Sequence, residues 1–335
     1  MIAASDTPTL KMVAAAAGVS KSTVSRVIND SPSVTPEAIA AVSAAIEQLG
    51  YTPNRAARTL VSRRTQTLAL VIPENTATFF TDPYFASVIQ GAATRVSETD
   101  FTLALLIAAG SEDKVRRYLR AGSVDGALVL SHHEDDRSYS HLAGRLPLVF
   151  GGRPMSQEGE LPCYVDVDNV VAAAQVTRRL VEAGRRRIAT VAGPADMAAG
   201  VDRLEGWRRA LAEAGLADDL VERADFSPAS GAEAARRLLA RGEPFDGLFA
   251  ASAQLASGAL GVLREHGLEV PRDLGVVTVD DDYFAQNATP PLTTVRQPTL
   301  EVGRRMADVL IDLVEGREVE RVTIMPTVVV DRGSA

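Results

Sequence analysis

The chain has 335 residues, 46% hydrophobic and 23% charged, a balance that suits a globular protein with a sizeable core and exceeds one ordinary domain. No run of about 18 apolar residues occurs, so no membrane span is expected. Residues 1–8 lack a basic start followed by an apolar stretch, so no secretory leader is expected and the cytoplasm is the expected compartment. A single cysteine, Cys163, rules out an internal disulfide and a cysteine-built metal site.

The net charge of −8 is unevenly spread. Residues 1–65 carry Lys11, Lys21, Arg26, Arg55, Arg58, Arg63 and Arg64 against Asp6, Asp30, Glu37 and Glu47, a net +3 that leaves −11 for the remainder. A basic head on an acidic body is the balance expected when only the head meets phosphate.

Thr9 is placed to cap a helix from Leu10 to about Ala17, and Gly18 supplies the turn. Ser20 caps a second helix, Lys21 to Ile28. Val13, Val19, Val24 and Val27 fall on the inward faces, and small Ala14 sits where two crossing helices must approach closely. This is the spacing of a helix-turn-helix. The outward side of the second helix carries Lys21, Ser22, Thr23, Ser25, Arg26 and Asn29, short donors and two cations with no carboxylate, which suits a major groove better than a merely solvated face. Thr35-Pro36-Glu37 starts a third helix whose buried stripe is read as Ile39, Val42, Ile46 and Leu49, ended by Gly50. Pro53 and Asn54 break it. Arg55 to Val61 is helix-compatible but too short to be stable alone.

From Thr67 onward, apolar runs alternate with helical stretches. Strands are expected at 67–72, 102–107, 126–130, 148–150, 188–192, 247–250 and 275–279. Helices are expected at 85–96, 112–121, 169–183, 204–214, 232–240 and 253–265. Such alternation implies parallel sheets with helices on both faces. About 265 residues is large for one open sheet, so two lobes are expected, with a ligand cleft at the carboxyl ends of the strands. No Walker loop, GxSxG, HExxH or GxGxxG is present, and the histidines His132, His133, His141 and His266 lack metal-site spacing. An enzyme, a cofactor and a metal are therefore not expected. A solute-binding transport protein fits the lobes but not the basic head.

The run from Thr9 through "VAAAAGVSKSTVSRVIN" to "LGYTPNRAARTL" resembles the head and hinge of the lactose-repressor (LacI/GalR) family. The segments "DPYFASVIQGA" at 82–92, "VDGALVL" at 124–130, "VDVDNVVAAAQVTRRLVEAGRRRIATVAGP" at 165–194, "RLEGW" at 203–207, "LGVVTVDD" at 274–281 and "PPLTTVRQP" at 290–298 resemble its sensor. The resemblance implies an all-α helix-turn-helix head (1–52), a hinge helix and linker (53–65) and a two-lobed, periplasmic-binding-protein-like α/β sensor (66–335). The N-lobe would span 66–162 and 295–322, and the C-lobe 163–294 and 323–335. It also implies a homodimeric regulator, acting more often by repression, on a near-palindromic double-stranded operator.

By the same resemblance, Lys21, Ser22 and Arg26 read bases, while Thr9, Ser20, Thr23, Ser25, Asn29 and Thr35 hold phosphates. The hinge around Asn54 and Arg55 pairs with its copy in the minor groove, where Leu60 wedges into a base step. Arg203 grips effector oxygens, Asp280 accepts from hydroxyls, Tyr84 and Phe85 face the ligand, and Trp207 and Gln297 lie near the cleft. The sequence departs from the family at Ser252-Ala253, in place of Asn-Asp, and at Gly152, where a carboxylate is common. With Arg153, Arg203 and His132 or His133 close by, a less hydroxylated or anionic effector is an alternative to a sugar. No leucine heptad follows the last strand at 327–330, so a dimer is expected over a tetramer.

Overall fold

The computed structural model describes residues 8–28, 31, 33–51, 64–108, 112–133, 145–155 and 162–335. The chain divides into two compact units between Thr65 and Gln66.

The first unit contains α1 (Leu10–Ala16), α2 (Lys21–Ile28) and α3 (Pro36–Leu49). Thr9 caps α1 through the Met12 amide, and Thr35 caps α3 through that of Ala38. Gly18 and Gly50 take the left-handed backbone that the two helix ends require, at φ 67° and 59°. Val13, Ala14, Val24, Val42, Ala45 and Tyr51 form the small core. The buried stripe of α3 differs from the expected one. Val42 and Ala45 are buried while Ile39 is 44% exposed, because the small Ala45 lets α3 approach closely on its other edge.

The second unit starts with β1 (Thr67–Ile72), whose residues Leu68 to Ile72 are all fully buried, as a strand covered on both faces must be. There follow α4 (Thr76–Thr81), α5 (Pro83–Ser97), β2 (Thr102–Ile107), α6 (Glu112–Arg120), β3 (Gly126–Leu130), β4 (Leu148–Gly151) and β5 (Cys163–Val167). The second lobe is built from α7 (Asn169–Glu182), β6 (Ile188–Ala192), α8 (Ala198–Glu213), β7 (Val221–Arg223), α9 (Pro228–Ala240), β8 (Gly247–Ala250), α10 (Ala253–Glu265), β9 (Gly275–Val279), α11 (Tyr283–Gln286) and β10 (Thr293–Arg296). The chain then returns to the first lobe for α12 (Thr299–Glu315) and β11 (Val322–Met325), and ends in the second with β12 (Val328–Val330).

The first sheet has the order β11-β5-β4-β3-β1-β2 and is parallel throughout. The second, β12-β10-β9-β8-β6-β7, is parallel except for β12. Strands β5 and β11 hydrogen-bond within the first sheet. The chain therefore crosses between lobes after Val167, after Arg296 and after Met325, a few residues beyond the first and last crossings expected from the sequence. Helices α5 and α12 cross at Gly91 and Gly303, where a β-carbon would overlap the Leu300 or Val88 carbonyl of the facing helix.

Candidate functional site

In the head, α2 presents Lys21, Ser22 and Arg26 to solvent, with Thr23 and Ser25 half-buried beside them. The Ser20 hydroxyl accepts from the Thr23 amide at 3.1 Å and lies 2.7 Å from the Ser22 hydroxyl and 2.9 Å from that of Thr23. The amino end of α2 is thus a cluster of small donors with no carboxylate on the helix, and Val24 beneath locks it to the core. Such a surface can approach phosphate and base edges without like-charge repulsion. Asn29, Asn54, Arg55 and Leu60 lie outside the described residues.

In the second unit a cavity of about 110 Å³ lies between the two sheets, at the carboxyl ends of their strands. Ser131 and His132 enter it from the end of β3, Gly152 and Arg153 from β4, Asp166 from β5, Ser252 from β8 and Asp280 from β9. Asp82, Tyr84 and Phe85 enter from the start of α5, and Arg203 from α8. Among the described residues, four non-glycine positions have positive φ, and Ser131, Phe226 and Asp280 of these line the cavity. Backbone of this kind costs about 1–3 kcal/mol per residue and persists where surrounding structure imposes it, which happens chiefly at binding sites.

Arg203, 6% exposed, organises the second-lobe wall. Its Nε donates to Asn169 Oδ1 at 2.9 Å and its Nη1 to the Ala251 carbonyl at 2.7 Å, and Nη1 lies 3.6 Å from Asp280 Oδ2. The guanidinium also sits 5.8 Å from the centre of the Phe226 ring. Gln297 donates to Asp280 Oδ1 at 2.5 Å. The first-lobe wall is acidic. Asp166 accepts from the Arg153 and Val167 amides, both at 2.7 Å, and burial raises its carboxyl above the ordinary range. Asp82 caps α5 by accepting from the Tyr84 amide at 2.9 Å. Burial, with Asp280 and Asp282 nearby, pushes its carboxyl up to about 7. Burial also raises the Tyr84 phenol, reinforced by Asp166 and Asp280, so it stays a neutral donor.

The cations that the sequence offered to an anionic ligand have other partners. Arg153 makes a two-point contact with Asp202 at 2.7 and 3.2 Å, and His133 is held by Glu74 and Asp196. Burial keeps the His132 imidazole below its ordinary range, with its Nε2 3.2 Å from the Gly152 carbonyl and its ring edge-on to Phe150. Among the described residues, the lining thus carries three carboxyl groups, of Asp82, Asp166 and Asp280, against Arg203 and the Asp202-paired Arg153. That balance disfavours an anion and suits a neutral molecule rich in hydroxyls.

Tyr84, Phe85, His132, Arg153, Arg203, Ser252, Asp280 and Gln297 all reach this cavity. Trp207 does not. It is fully buried in the second-lobe core, because one turn beyond Arg203 the face of α8 lies over the sheet and no longer over the cleft. Ser252, standing where the family has a larger polar residue, caps α10 through the Leu255 amide. The sequence reading missed Asp82, Ser131, Asp166, Asn169, Met197 to Ala199 and Phe226. Asp82 had a visible signal, Asp-Pro at a helix start, but the signal reports a cap and not a ligand contact.

A three-helix head with a donor-rich second helix, followed by a two-lobed sensor with a polar cavity between its sheets, defines a ligand-controlled DNA-binding regulator. The family model for bacterial regulatory proteins of the lacI family matches residues 9–54, and that for a periplasmic binding protein-like domain matches residues 177–335. The HTH-type transcriptional regulator CelR of Thermobifida fusca is 48% identical over 324 residues, 95% of each chain. The ribose operon repressor of Escherichia coli strain K12 is 32% identical over 336 residues, 98% of this chain and 99% of the relative. Among solved structures, a complex of the regulator CelR with cellobiose has a TM-score of 0.78 and 44% identity, covering 98% of this chain and all of that one. The lac repressor dimer bound to operator and an anti-inducer has a TM-score of 0.85 and 26% identity over 98% of both chains. The chain belongs to the LacI family of transcriptional regulators, sequence-specific DNA-binding proteins controlled by a small effector held between two lobes, and not enzymes. Among the described residues, no helix is long and apolar enough to cross a membrane.

Proposed function

We propose that this chain is a homodimeric repressor whose grip on a near-palindromic operator is set by a neutral saccharide of the cellobiose type. The observation that carries the reading is the cavity itself, where three carboxyl groups face Arg203 and an Arg153 already paired with Asp202. Arg203 and the Tyr84 phenol supply donors; Asp280 and Asp166 accept from hydroxyls; Phe226 offers a ring face. The cavity of about 110 Å³ is assigned to one sugar ring. A neighbouring cavity of about 240 Å³ shares Tyr84, Asp280 and Gln297 with it and offers room for a second. The likeness to a regulator crystallised with cellobiose supports the same choice.

In the head, Lys21, Ser22 and Arg26 read bases, and Thr9, Ser20, Thr23, Ser25, Asn29 and Thr35 hold phosphates. Asn54, Arg55 and Leu60 act in the minor groove. Two-fold symmetry of the dimer is matched by two half-sites. In the sensor, the exposed side of edge strand β2, with Leu105 44% exposed, and Tyr118 of α6 offer apolar surface to a second copy.

Calorimetry of the full-length protein against cellobiose, glucose, ribose and glucose 6-phosphate tests the effector reading. Binding of cellobiose and rejection of the phosphate ester are expected. Preference for the phosphate ester contradicts it.

A further inference from the structure

A histidine joins the two lobes through contacts to two carboxylates that only its protonated form can make together. His133 follows β3 in the first lobe. Its Nε2 lies 3.1 Å from Glu74 Oε1, in the same lobe after β1, and its Nδ1 lies 2.8 Å from Asp196 Oδ2, after β6 in the second lobe. Glu74 Oε1 also accepts from the Ser131 hydroxyl at 2.7 Å, so that oxygen faces two donors. A neutral imidazole has one donor and one acceptor nitrogen, and an ionised carboxylate only accepts. Two carboxylates on the two ring nitrogens therefore require the imidazolium. Among the described residues, His132 also acts on His133, and burial holds the His132 imidazole below its ordinary range. A second bridge between lobes, Arg153 to Asp202, lies alongside and carries no titratable proton in the physiological range.

We propose that His133 is a proton-dependent latch, bridging Glu74 and Asp196 to hold the two lobes closed over the effector, so that closure takes up a proton. The proposal rests on the reading of the cleft as the effector site, and the latch belongs to the closed protein with or without ligand. In this closed arrangement the hydrogen bond to Glu74, aided by Asp196, pushes the imidazole up to about 9 against the cost of burial. Opening removes Asp196 from reach and lowers it. The closed form is thus favoured below the open-state value and loses the latch as pH rises through about 9.

Ring nitrogen titration of the full-length, ligand-free protein by NMR tests the latch. The chain has four histidines, so His133→Gln assigns the signal by subtraction. The latch predicts that His133 keeps both ring protons at pH 8, and that Asp196→Asn, on the opposite lobe and half-exposed, lowers its titration by at least about one pH unit. Titration near the ordinary histidine value in the unaltered protein, or no response to Asp196→Asn, overturns it. A protein that ignores cellobiose defeats the saccharide reading alone, since the ring titration is read without ligand.

Discussion

Replacing Arg203 by alanine should damage the sensor in two separable ways. The guanidinium is 6% exposed and supplies donors to Asn169 Oδ1 and the Ala251 carbonyl, with Asp280 at 3.6 Å. Truncating one partner of a buried charged pair costs about 3–5 kcal/mol, because the remaining groups stay buried without compensation. Asp280 retains its bond from Gln297 and borders the cavity, so the lower end, about 3 kcal/mol, applies here. At about 2–4 °C per kcal/mol for a domain of this order of size, thermal unfolding of the sensor should fall by about 6–12 °C. Cellobiose should then produce neither stabilisation nor a change in DNA affinity, whereas DNA binding by the separate head should persist. Differential scanning calorimetry with and without ligand reads the first effect, and fluorescence anisotropy on duplex DNA reads the second. An unchanged unfolding temperature, or an intact ligand response, would refute the assignment of Arg203 as the organiser of the cleft.

Asp82→Asn keeps a cap acceptor for α5 but removes a carboxyl whose proton is held up to about 7 in the folded protein, against an ordinary value of 3.8. Rising pH ionises this group first in the unfolded chain, so it costs folded stability progressively between about 4 and 7 and by a constant amount above. The variant should gain on the parent protein across that interval in pH-dependent thermal melts, and parallel melting curves at all pH values would contradict the burial argument. Arg26→Ala should weaken specific operator binding by about 1–3 kcal/mol and relax preference at one position of each half-site, seen in binding to a panel of single-base variants. Gly303→Ala should destabilise the first lobe by about 1–3 kcal/mol through overlap with α5, and a neutral effect in chemical denaturation would mean that the helix crossing is loose.

The architecture was legible because both kinds of signal in this chain are long. Leu68 to Ile72 is a continuous apolar run and Val276 to Val279 is broken only by the buried Thr278, a pattern that doubly covered strands need and that recurs between amphipathic stretches. Capping residues were legible for the same local reason: Thr9, Ser20 and Thr35 each do what a short oxygen before a helix does. The short helix α4 and strand β7 escaped because six or three residues carry too little periodicity to read. The cleft was half legible. Arg203 and Asp280 stood out through resemblance, while Asp166 alternates invisibly within a strand and Trp207 was misplaced because one helical turn separates cavity wall from core. The lobe crossings moved by a few residues because β5 and β11 pair before the chain crosses, a long-range choice that no local pattern announces.

Selection of duplexes from a random library by the full-length protein, followed by titration of the enriched sequence with cellobiose, addresses the account most directly. Enrichment of a two-fold-symmetric site, with an affinity that cellobiose changes by about 5–150-fold in the parent protein and leaves unchanged in Arg203→Ala, is the predicted result. Recovery of sequences no tighter than random DNA, with or without the saccharide, would contradict it.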